Sequence, residues 1–136
     1  MRGWEEALRA GGVVSRAQHP AWRRSLDGAV RRGEILPVLP GVYAATEDFA
    51  TRCAAAMTWA CDGVLLGSTA ARISWWPELR TSTVHLATRR RSRRRSPSSW
   101  LQCDPRSVPE DLVAEHHGWR MATPALSILD MVLDPS

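Results

Sequence analysis

The chain has 136 residues, 44% of them hydrophobic: enough for one compact domain or two very small ones, and too apolar for wholesale disorder. Its formal net charge is +4, and all 18 basic residues are arginines, which favours an anionic partner over a cationic one. No apolar run reaches about 18 residues and residues 1–12 lack the apolar stretch of a secretion signal, so no membrane span is expected and the expected location is the cytoplasm. The three cysteines, Cys53, Cys61 and Cys103, are then read as reduced thiols, mostly packed inside.

Trp4, Ala7 and Leu8 share one helical face, and Gly11-Gly12 stops that helix. Ser15, with Gln18 at capping-box spacing, is expected to open a second short helix that Pro20 ends. Residues 21–32 form a third, with Trp22, Leu26, Ala29 and Val30 as the apolar stripe and Arg23, Arg24, Asp27, Arg31 and Arg32 opposite. Asp27 is placed for i,i+4 pairs with Arg23 and Arg31, and Gly33 is a natural C-terminal cap. Two short strands, 35–39 and 42–45, then flank Pro40-Gly41, with Pro37 marking an edge ribbon. Two helices and a ribbon in this order read as a winged helix-turn-helix, a device that lays one helix in a DNA groove.

Thr46 is expected to cap a helix over 47–61, in which Phe49, Cys53, Ala56, Met57 and Ala60 follow the 3.6 period and Cys61 shares the face of Cys53. Residues 64–66 are short and apolar. Ser68 is expected to cap a brief helix that Pro77 terminates, and 83–88 alternates as a strand. Residues 89–95 hold six arginines, either an electrostatic arm on nucleic acid or a solvated hairpin loop. Strands are expected at 100–103 and 112–116, with a turn at Gly118. Thr123-Pro124 opens a last helix whose apolar face is Ala125, Ile128, Leu129, Val132 and Leu133.

Taken together, the pieces GGVVSRAQ, AWRRSLDGAVRRGE, ILPVLPGVYAA, LLGSTAARISWW, TVHLATRRRSRRR and HHGWRMATPALSILDMVL resemble the AbiEi-type antitoxins of bacterial type IV toxin–antitoxin systems, in their actinobacterial version. The resemblance runs from about residue 3 to the end. It implies an α+β protein: an N-terminal winged helix-turn-helix over 1–46, followed by a small mixed α/β antitoxin-type domain over 47–136. It also implies operator binding, transcriptional repression and neutralisation of a nucleotidyltransferase toxin.

The expected contacts with double-stranded DNA are Arg23, Arg24, Arg31 and Arg32 at base edges and Arg16, Gln18 and His19 at the backbone. Arg89, Arg90, Arg91, Arg93, Arg94 and Arg95 would add sequence-independent attraction. No cofactor, metal or catalytic set is expected. His116, His117 and Cys103 match no zinc spacing, and Asp104, Glu110, Asp111 and Glu115 read as loop carboxylates without a partnering lysine. Trp75-Trp76 is either core or an interaction spot. Two rival readings are a protein-interaction module that does not bind DNA and the N-terminal part of a nuclease-containing parent.

Overall fold

A computed structural model of the chain describes residues 3–89 and 96–133. These form five α-helices and two β-sheets, an α+β protein. The chain divides into two compact units, Met1–Cys61 and Asp62–Ser136.

In the first unit, α1 (Gly3–Gly11) buries Trp4 and rests Ala7 and Leu8 on the same core. Gly12, at φ +77°, ends it and donates its N–H to the Leu8 carbonyl at 2.7 Å. The helix expected at Ser15 does not form. Ser15 instead completes the short strand β1 (Val14–Ser15), paired antiparallel with Val42 and Tyr43. Its hydroxyl does accept the Gln18 N–H at 3.3 Å, and its carbonyl the His19 N–H at 3.2 Å, but the turn goes no further. Pro20 is the reason: it disfavours helical backbone at His19, which sits at φ −135°, ψ 69°. A 3-10 turn, Pro20–Trp22, leads directly into α2 (Arg23–Arg31).

Leu26 and Ala29 of α2 are fully buried against Trp4, Val14, Ile35 and Tyr43, with Trp22 and Val30 at the margin. Beyond α2, Gly33 takes φ +76°, and the Glu34 N–H reaches back to the Ala29 carbonyl at 3.0 Å. Strands β2 (Leu36–Leu39) and β3 (Val42–Ala44) form the expected ribbon, with Gly41 at φ +73°. The sheet order is β1-β3-β2, so Pro37 does lie on an edge strand.

Helix α3 (Phe49–Trp59) is capped by Asp48 rather than Thr46: the Asp48 carboxylate accepts the Thr51 N–H at 2.8 Å. The helix packs its Cys53–Ala56 stretch on β2 and β3, so it belongs to the first unit, and the division falls after Cys61 instead of at residue 46. Small side chains allow that close approach. Cys61 lies past the end of α3 and is exposed, unlike Cys53.

The second unit is built on a five-stranded sheet of order β6-β5-β4-β8-β7. Its centre is β4 (Val64–Leu65), antiparallel to β5 (Val84–Thr88) and parallel to β8 (Trp119–Ala122). Strand β6 (Leu101–Pro105) runs parallel to β5, so these two strands are not a hairpin pair. Strands β7 (Val113–His116) and β8 are joined by His117 and Gly118, at φ 55° and 77°, the geometry a two-residue hairpin turn needs. Asp104 lies on a strand, not in the expected loop, and Glu115 lies on the strand expected at 112–116.

Helix α4 (Gly67–Ser74) starts one residue before the expected Ser68 cap, and the Ser68 hydroxyl donates to Thr81 Oγ1 at 3.2 Å instead. Helix α5 (Pro124–Leu133) opens as expected, with Thr123 Oγ1 accepting the Leu126 N–H at 3.5 Å. Its orientation reverses the expectation. Leu126 and Ser127 are buried, whereas Ile128, Leu129, Val132 and Leu133 are 48%, 52%, 72% and 73% exposed. Polar anchors turn the helix this way: Trp75 Nε1 donates to Ser127 Oγ at 3.0 Å, and Asp130 receives Arg106 at 3.1 and 3.2 Å. Among the described residues no helix is long and apolar enough to cross a membrane.

The cap at Asp48 generates a test. The Thr51 backbone N–H, then the Thr51 hydroxyl, hold the Asp48 carboxyl below its ordinary 3.8. A depressed folded-state pKa contributes stability above the unfolded value that is lost as pH falls through the folded one. Asp48→Ala is expected to lower unfolding free energy at pH 7 by about 1 kcal/mol, the usual worth of such a cap. The gap should narrow in denaturant titrations as pH falls below 3.8, while Asp48→Asn, which keeps a cap acceptor and does not titrate, should hold a constant advantage over Asp48→Ala at every pH.

Candidate nucleic-acid interface

Burial of Leu26 and Ala29 turns the opposite face of α2 to solvent, and Arg23, Arg24, Arg31 and Arg32 are all exposed. Arg24, Gly28 and Arg31 fall at i, i+4 and i+7 and so share one line along the helix. Gly28 leaves bare backbone between the two arginines. A Cβ there would meet only Arg32 Nη1, at 3.0 Å. Glycine within a helix costs about 0.5–1 kcal/mol relative to alanine, a cost that close approach of another backbone would explain.

The ion pairs differ from the expected ones. Asp27 faces Arg16 across 3.6 Å and tethers the chain after β1 to α2, instead of pairing along the helix with Arg23 or Arg31. Arg32 is engaged by Glu34, Nε to Oε1 at 3.0 Å and Nη2 to Oε2 at 3.4 Å. Among the described residues Arg23, Arg24 and Arg31 have no acidic partner, which leaves their guanidinium donors free. Gln18 is exposed, but His19 stacks on Trp22 with centroids 4.0 Å apart and planes 17° apart. His19 thus closes the turn beside α2, and Trp22 packs half-buried. The ribbon's residues 36–44 carry no charged side chain, so a phosphate there would meet main-chain N–H groups.

The second arginine group belongs to the other unit. Arg89 donates to Glu110 at 3.1 Å, and Glu110 also receives Arg120. The expected contacts Arg90, Arg91, Arg93, Arg94 and Arg95 lie outside the described residues.

The second unit also holds a polar cleft that sequence reasoning missed. It encloses about 620 Å³ over the β5–β6 side of the sheet, between the start of α4 and the end of α5. His85 Nε2 meets Asp104 Oδ2 at 2.7 Å on its floor, and the Arg106–Asp130 pair forms one wall. The His85 N–H on the main chain donates to Thr69 Oγ1 at 2.9 Å, which locks the strand to α4. A carboxylate fixing one imidazole nitrogen can orient a histidine for acid–base or ligand work. Alternation on β5 puts His85 opposite the buried Val84 and Leu86, the one local signal available. No group of three or more His, Cys, Asp or Glu suited to a metal ion occurs among the described residues.

Neither a protein-family model nor a curated protein matches the chain.

The thiols give a second test. Burial, and then the charge of Asp104, raise the Cys103 thiol above its ordinary pKa, so little of it is thiolate near neutrality. With a chromogenic disulfide reagent at pH 7.5, Cys61 is expected to react first, Cys103 at least tenfold more slowly, and Cys53 only on unfolding. Mass spectrometry of the labelled peptides gives the order.

Proposed function

We propose that the chain is a DNA-binding regulator of the antitoxin type, acting by binding rather than by catalysis, and that its first unit is a winged helix-turn-helix. The observation that carries this reading is the face of α2. Three arginines without acidic partners stand on a helix fixed from behind by core packing, and a ribbon follows directly. The connectivity supports it in part: α1, β1, α2, β2 and β3 follow in the expected order with strand order β1-β3-β2, while the helix expected before α2 is reduced to the 3-10 turn Pro20–Trp22. In this reading α2 enters the major groove, where arginine pairs bidentately with guanine O6 and N7. Gly28 admits the groove wall between Arg24 and Arg31. Arg16 is a poorer phosphate ligand than the sequence suggests, because Asp27 already engages it. The second unit is then the part that would meet a nucleotidyltransferase toxin, and the 89–95 arginines would add salt-sensitive attraction to any duplex.

Gel shift and fluorescence anisotropy with the DNA upstream of the gene, against a scrambled duplex, test the proposal. Arg24→Ala with Arg31→Ala is expected to weaken operator binding by tenfold or more, given roughly 1–3 kcal/mol per bidentate base contact, and scrambled-duplex binding by less. Gly28→Ala should raise thermal stability yet weaken operator binding, because the methyl adds helix propensity where the groove must come close. If both variants bind the operator as wild type does, α2 is not the reading helix and the reading fails.

A further inference from the structure

DNA recognition by α2 leaves the polar cleft of the second unit without a task. We propose that this cleft binds a small phosphate monoester, with His85 and Arg80 on the phosphate.

The acids of the cleft are neutralised and one of its cations is not. Asp104 is paired with His85 at 2.7 Å and Asp130 with Arg106 at 3.1 Å. Arg80 lines the same cleft, is exposed, and has no acidic partner among the described residues. The surplus charge is positive and selects an anion.

His85 is placed for a ligand rather than for the core. Its side chain is 16% exposed, and Asp104 engages only Nε2. Nδ1 has no partner among the described residues and looks toward Gly67, where a Cβ would stand 3.6 Å away. Glycine at φ +52° therefore leaves that nitrogen uncovered inside the cleft. The main-chain N–H groups of Gly67 and Ser68, which also line the cleft, add donors that have no acceptor among the described residues.

Hydroxyl groups lace this frame together. Thr69, fully buried, accepts the His85 main-chain N–H at 2.9 Å and donates to the Thr83 carbonyl at 3.1 Å. Thr81 donates to the same carbonyl at 3.2 Å and accepts from Ser68. The donors are thus ordered before anything binds, which lowers the entropic cost of binding. A volume of about 620 Å³ lies in the range of small-molecule sites.

A phosphate monoester is the anion that fits these donors, which come from the start of α4, from residues 79–83 and from the floor strands. It offers three terminal oxygens, whereas a carboxylate or a phosphodiester offers two. Its second ionisation lies near neutrality, at a pKa of about 6. One proton can then stand on the ester oxygen or on Nδ1, and it holds the two together in either place.

Isothermal titration of the full chain with ribose 5-phosphate near pH 7 tests the proposal. The expected result is saturable binding with a Kd between about 10 μM and 1 mM, and none with ribose. Uptake of part of a proton, read from the heats in two buffers of different ionisation enthalpy, should accompany it. His85→Gln should remove that uptake and weaken binding about tenfold, the worth of a charge-assisted contact. Arg80→Ala, at an exposed and unpaired side chain, should weaken binding alike but keep the uptake. Arg24→Ala with Arg31→Ala should bind ribose 5-phosphate as wild type does, which separates this site from the face of α2, and a scrambled duplex should not displace the ester. Absence of saturable binding up to about 10 mM overturns the proposal. So does equal binding of ribose, displacement by the duplex, loss of binding in the Arg24, Arg31 variant, or wild-type affinity in both the His85 and Arg80 variants.

Discussion

The packing of Leu26 and Ala29 against Trp4, Val14, Ile35 and Tyr43 decides where the arginines of α2 stand. A nine-residue helix is not stable alone in water, so α2 exists only because this stripe is buried. Burial of a leucine side chain supplies about 1.5–3 kcal/mol, and the same contact sets the rotation of the helix about its axis. Once Leu26 points inward, Arg24 and Arg31 must point outward. Core and candidate interface are therefore one constraint seen from two sides. The shortened turn between β1 and α2 adds the Arg16–Asp27 tether and the His19–Trp22 stack, which hold the start of α2 where a longer helix would otherwise brace it.

The second unit follows a different rule. Its α5 is anchored by polar groups, Ser127 to Trp75 and Asp130 to Arg106, and these outrank the apolar stripe in choosing which side faces in. A single guanidinium nitrogen, Arg106 Nη1, reaches both Asp130 oxygens, and Asp130 is only 14% exposed, so leaving it unpaired would be costly. The same anchoring shapes the polar cleft, because Arg106 and Asp130 wall the side that His85 and Asp104 floor. An exposed apolar helix face and a lined polar cleft are thus two results of a single choice of helix rotation.

Much of the fold was legible from periodicity and punctuation. Helices α1, α2, α3 and α5 and the ribbon around Gly41 each carry a stripe, a glycine or a cap that names them. What periodicity could not supply was direction. The stripe on α5 is plain in the sequence, but a stripe says only that some apolar surface will be covered, not by which partner. The missing Ser15 helix was decided by Pro20 acting on His19, a backbone effect stronger than the capping spacing. The cap moved from Thr46 to Asp48 because a carboxylate two residues on competes for the same orphan N–H groups. WRMA lacks alternation, so Trp119–Ala122 could be recognised as a strand only from its pairing with β4 and β7. The arginines of the candidate interface were visible, whereas their ion pairs were not: Arg16 with Asp27 and Arg89 with Glu110 depend on tertiary neighbours. His85 and Asp104 are nineteen residues apart on parallel strands, and no local pattern announces such a meeting.

The central strand of the second unit has a consequence for the order in which the chain acquires structure. The first unit closes through neighbours in sequence, from α1 to α3, and every partner it needs has been synthesised by Cys61. Val64 and Leu65 come next, but one of their two partner strands, β8 with Met121, is made only after the other strands of the sheet. Until then an apolar strand edge stands open on one side. Pairings this distant in sequence close slowly, because the loop entropy is lost before any contact repays it. On a ribosome the first unit is complete while the sheet of the second still waits for its last strand, and that interval is when this chain is most exposed to aggregation.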